Sequence, residues 1–64
     1  MKVLFFKYKS LYTEDEYYAL PNPMTKTIDG VQFMEVTTSV KKIEPLFVRV
    51  DSIKKIGTWT SDVG

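Results

Sequence analysis

Among its 64 residues the chain has no cysteine and no histidine. No disulfide can staple it, and the usual Cys/His zinc sites are excluded. The commonest general base, the thiolate nucleophile and most transition-metal ligands are missing as well. Glycine is scarce: three residues, at 30, 57 and 64, each isolated. That spacing rules out a glycine-rich phosphate loop. Long apolar runs are absent too. Val3-Leu4-Phe5-Phe6 is interrupted by Lys7, well short of the ~7–15 residues of a signal-peptide core. No membrane partner is expected, and the cytoplasm is the default location.

Charge of one sign is also lacking. Nine Lys+Arg against eight Asp+Glu leave a net charge of +1, too little for a general pull toward nucleic acid or an anionic membrane. The distribution is less even. Residues 40–55 hold Lys41, Lys42, Arg49, Lys54 and Lys55 against Glu44 and Asp51, five minus two, a local +3. Glu14-Asp15-Glu16 is the acidic counterweight. It lacks the spaced acidic pattern and turn glycine of a calcium loop and reads as a solvated loop.

What is present is apolar and aromatic. Hydrophobic residues make up 44% and aromatics 14%, enough to specify a folded domain. The length predicts one small β domain over 1–64, burying only about 60% of its unfolded surface. With no staple available, the core carries the stability, helped by self-association or a partner.

Asp29-Gly30 between Thr25–Ile28 and Val31–Thr37 is a strong hairpin signal. Two registers are open. A two-residue type I′ loop sets Ile28 against Val31 and Lys26 against Phe33; a type I turn with a bulge sets Thr27 against Val31. In either register Val31 and Phe33 share one face and Met34 and Val36 the other, so this strand has something to bury on each side. Lys2–Tyr8 predicts a first strand, also apolar on both faces, and hence a central strand or an interface. Glu16–Leu20 predicts a second, ended by Pro21-Asn22-Pro23. A helix over Thr13–Ala19 competes, because Thr13 and Glu16 fit a capping box, but Tyr17-Tyr18 is a poor helix former. Pro45 opens a strand over Leu46–Val50, with Leu46, Val48 and Val50 on one face. Asp51 or Ser52 can cap one helical turn over residues 51–55. Ile56–Thr60 predicts a last short strand, and Ser61–Gly64 a frayed end. The sum is an all-β chain: a small SH3-like barrel or strongly bent antiparallel sheet of about five short strands with one helical turn.

No catalytic residue is identified and no cofactor or metal site is expected. Carboxylate pairs are the remaining catalytic device, and Glu14 and Glu16 fall in one loop while Asp29 is explained by its turn. An enzyme is therefore not expected. The surplus of aromatics points to binding: Tyr8, Tyr12, Tyr17, Tyr18 and Trp59 are candidates for a protein-binding patch. The alternative is a single-strand nucleic-acid surface from Lys41, Lys42, Phe47, Arg49, Lys54 and Lys55 beside Trp59, against which the net charge counts. A third reading is a homo-oligomer paired through Val3–Tyr8 or Leu46–Val50.

The stretches Leu20-Pro21-Asn22-Pro23…Ile28–Val36 and Phe47–Lys55 resemble short uncharacterised proteins encoded by T4-like cyanophages. The likeness covers about half of the chain and consists of turn and strand residues. It implies a phage accessory protein in the host cytoplasm, acting by binding a host or phage protein, with no catalytic residue to carry over.

Overall fold

The computed structural model describes residues 1–62. Six strands and one 3₁₀ turn follow in order: β1 (Lys2–Ser10), β2 (Glu16–Ala19), β3 (Thr25–Ile28), β4 (Val31–Val36), β5 (Leu46–Arg49), the turn (Val50–Ser52) and β6 (Ile53–Asp62). They form two three-stranded antiparallel sheets, ordered β2-β1-β6 and β3-β4-β5. The chain is thus all-β as its composition predicts, with six strands where about five were expected. Among the described residues no helix is long and apolar enough to cross a membrane.

Local chemistry sets the turns. Ser10 Oγ accepts from the amides of Tyr12 and Thr13, both at 3.2 Å. Thr13 Oγ1 donates to Asp15 Oδ2 at 2.8 Å and accepts from the Asp15 amide at 3.2 Å. Thr13 therefore closes the β1–β2 loop instead of capping a helix, and residues 16–19 are strand, as favoured. Asn22 takes a left-handed conformation, φ 61°, between Pro21 and Pro23, and ends β2. At the Asp29-Gly30 hairpin Ile28 faces Val31 and Lys26 faces Phe33. Both loop residues have positive φ, 52° and 78°, which selects the type I′ register over the bulged one.

The second half departs from expectation at β6. The helical turn lies at Val50–Ser52, not over residues 51–55, and Ser52 Oγ donates to the Arg49 carbonyl at 2.7 Å. Lys54 and Lys55 then belong to a ten-residue strand that includes Ser61 and Asp62, so those two are paired rather than frayed. Val63 and Gly64 lie outside the described residues. The β1–β6 register slips between Lys7 and Tyr8, whose partners are Gly57 and Lys55. Ile56 is the extra residue of that bulge, and it breaks the alternation that would have revealed one long strand.

The two sheets behave as one bent surface. Tyr18 and Thr37 exchange backbone hydrogen bonds, both 2.8 Å, and join β2 to the end of β4. Opposed residues in an antiparallel pair share a face. The registers therefore put Phe6, Tyr8, Tyr17, Ala19, Ile53, Met34, Val36, Leu46 and Val48 on one side. This inner side contains the core cluster of Ala19, Met34, Val36 and Ile53, with Tyr8, Tyr17, Leu46 and Val48 packed against it. Among the described residues no ladder closes β6 onto β3 or β5, so the sheet bends without becoming a barrel. β1 is central, flanked by β6 along its length and by β2 over Phe6–Lys9; of the Val3–Tyr8 segment expected to self-pair, only Val3–Phe5 keeps an edge without a ladder among the described residues.

Candidate functional site

The outer side of the bend carries what the core does not use. There Phe5 is buried, 4% exposed, yet lies outside the core cluster. It floors an apolar cleft of about 310 Å³. One wall is Tyr18 and Leu20, from the end of β2. A second is Pro23 and Met24, from the linker into β3. The third is Ile43 and Pro45, from the loop between β4 and β5. Leu20, Met24 and Ile43 form a rim more than half exposed, at 51%, 64% and 56%. Glu35 and Asn22 are among the few polar residues on the lining.

The third wall is held by one side chain. Thr37 is buried, and its Oγ1 donates to the Ser39 carbonyl at 3.1 Å while accepting from the amides of Ser39 and Glu44 at 3.4 and 3.3 Å. That hydroxyl spans both ends of the 38–44 segment. Ser39 Oγ accepts from the Lys41 and Lys42 amides at 3.2 and 3.5 Å and shapes the tip. Among the described residues no buried side-chain N or O lacks a partner. The cleft thus offers shape and apolar area on a satisfied scaffold, an arrangement that shields an apolar segment from water.

The five candidate aromatics do not form one patch. Tyr8 and Tyr17 oppose each other across β1–β2 and pack half-buried against the core, on the side away from the cleft. Tyr12 stands at the β1–β2 loop tip, 80% exposed. Tyr18 lines the cleft, with the Lys7 amine 6.0 Å from its ring centre. Trp59 is half-exposed and opposes Phe5, so it extends the cleft side across β1 to the sheet edge. Leu20, Met24, Ile43 and Pro45 were not singled out from sequence. Their signal was apolar residues held in proline-punctuated loops, where solvated residues are the rule.

The basic candidates are scattered and largely partnered. Lys42 pairs with Glu44 at 3.1 Å, and Lys41 is exposed beside it. Arg49 donates twice to Asp51, Nε at 3.1 Å and Nη2 at 3.0 Å. These hydrogen bonds hold the Asp51 carboxyl below its ordinary range and push the Arg49 guanidinium up. Lys26 covers the Phe47 ring at 4.0 Å, and Lys55 covers Phe6 at 3.9 Å. Lys54 opposes Lys9, which is itself paired with Glu14 at 3.2 Å. Phe47 and Trp59 sit in different sheets. Among the described residues, Lys26 and Lys55 lie over the Phe47 and Phe6 rings, and the other basic candidates are spread over both sheets and the loop between β4 and β5 rather than along one stacking surface. No family model, curated protein or solved structure matches the chain.

Proposed function

We propose that this protein is a non-enzymatic binding module that takes an extended apolar segment of another protein in the cleft floored by Phe5. The observation that carries this reading is the rim of Leu20, Met24 and Ile43, three large apolar side chains exposed around a buried aromatic floor. An exposed apolar concavity with few polar points is the form of a partner site. The likeness to short T4-like cyanophage proteins makes the proposed partner a host or phage protein in the host cytoplasm.

The test is capture of a partner by immobilised protein, compared with Leu20→Asp and Ile43→Asp. Both positions are more than half exposed, so the fold is expected to survive, as judged by circular dichroism. A partner held by the wild type and lost at least about tenfold in each variant supports the cleft; tenfold corresponds to about 1.4 kcal/mol of binding. Tyr12→Ala, at the far loop tip, should bind as the wild type does. A partner retained by both cleft variants refutes the reading.

A further inference from the structure

The free edge of β6 is unlike the other edges of this fold. β2, β3 and β5 are four residues each, whereas β6 runs for ten and has, among the described residues, no strand on its outer side. Its first half carries edge protection: Lys54, Lys55 and the bulge at Ile56. Its second half, Gly57–Asp62, has no proline, no bulge and no charge before Asp62. β2 pairs only with Phe6–Lys9 of β1, so Lys2–Phe5 with Trp59–Asp62 is a two-stranded ribbon. Two strands alone are marginal in water. Leu4 and Trp59, 44% and 48% exposed, sit on this ribbon.

We infer that Gly57–Ser61 pairs antiparallel with the same segment of a second copy, with Trp59 on the two-fold axis. The segment is self-complementary in that register and keeps every residue on its own face. Trp59 meets its mate on the outer side, where it already opposes Phe5, giving a Phe5–Trp59–Trp59–Phe5 aromatic row across four strands. Thr58 meets Thr60, and Gly57 meets Ser61. The bulge restores the match at the ends. Lys55 and Asp62 both lie on the inner face, opposite Tyr8 and Lys2, and the extra residue Ile56 brings Lys55 of one copy against Asp62 of the other. Lys55 makes no ion pair within the described chain, and Asp62, which holds the Met1 ammonium at 3.2 Å, keeps its side chain 74% exposed and open to a second cation. The result is a continuous sheet of order β2-β1-β6-β6-β1-β2, isologous as a two-fold contact must be. No β6 residue lines the cleft, so this pairing stands or falls apart from the proposed partner site.

Seven residues a side, Lys55 and Gly57–Asp62, place the contact at the small end of specific interfaces, below about 1,200 Å², where association is weak and concentration-dependent. Sedimentation equilibrium should show the mass rising with concentration from 7.4 kDa to twice that value. The chain has no cysteine, so cross-linking reads the register directly. Trp59→Cys should form a disulfide dimer on mild oxidation, because opposed Cα atoms about 4.5–5.5 Å apart fall within disulfide range. The double variant Gly57→Cys/Ser61→Cys keeps Trp59 and should cross-link at two points. Ile43→Cys, on the cleft rim, is the control. A monomer at every concentration up to about 1 mM overturns the inference, as does a dimer in which neither β6 variant cross-links faster than the control.

Discussion

Replacing Ile53 by alanine tests where the stability of this domain resides. Ile53 is 7% exposed at the entry to β6 and completes the core cluster with Ala19, Met34 and Val36. Its truncation removes three carbons, worth about 2.4 kcal/mol at about 0.8 kcal/mol each. The cavity left behind raises this to about 3 kcal/mol. A chain of this size draws only about 3–5 kcal/mol from its core, so the variant should stand near its folding limit. The midpoint should fall by about 12–24 °C, at about 4–8 °C per kcal/mol, in thermal melts followed by circular dichroism at one fixed protein concentration. Ile53→Val, one methylene smaller, should cost about 1 kcal/mol. Ile43→Ala removes the same three carbons from a side chain that is 56% exposed on the cleft rim, and should cost about 0.5 kcal/mol. If Ile43→Ala lowered the midpoint as far as Ile53→Ala, the assignment of the core to the inner side of the bend would be wrong.

Two further outcomes follow from single residues. Gly30→Ala meets no atom within 4 Å, yet φ is +78°, so its cost of about 1–2 kcal/mol is backbone strain alone; urea unfolding measures it, and an unchanged midpoint would contradict the type I′ turn. Thr37→Val removes the hydroxyl that spans residues 39 and 44, leaving the Glu44 amide without its acceptor, at about 1–3 kcal/mol; hydrogen exchange of the 38–44 amides should accelerate, and unchanged protection there would refute the role given to Thr37.

Local signals read well where they were self-contained. Asp29-Gly30 announces its hairpin because positive φ at two successive positions needs those residue types, and β1 shows itself by β-branched and aromatic residues on both faces. The extent of β6 did not show, because Ile56 interrupts the alternation and Lys54-Lys55 reads as a solvated run. The aromatics could not be sorted from sequence, since Tyr8 and Tyr12 differ only in where the register puts them. The cleft was invisible for a related reason. Its walls come from loops about 20 positions apart, brought together by a two-bond bridge between Tyr18 and Thr37 that no local pattern encodes.

The ladder between β1 and β6 has a kinetic consequence. It pairs Lys2 with Asp62 and begins at Ser10 and Ile53, whereas β3-β4-β5 is a meander of near neighbours. Closing a loop of about 43 residues instead of two costs about 2.7 kcal/mol more in chain entropy. On that entropy alone the meander is expected to form before the β6 strand docks, through contacts of the longest sequence separation. The expected folding time is the millisecond-to-second range of non-local β topologies rather than that of a small helical bundle. Until β6 docks, the Phe5 side of β1 has an open edge, and that is the species most exposed to misassociation.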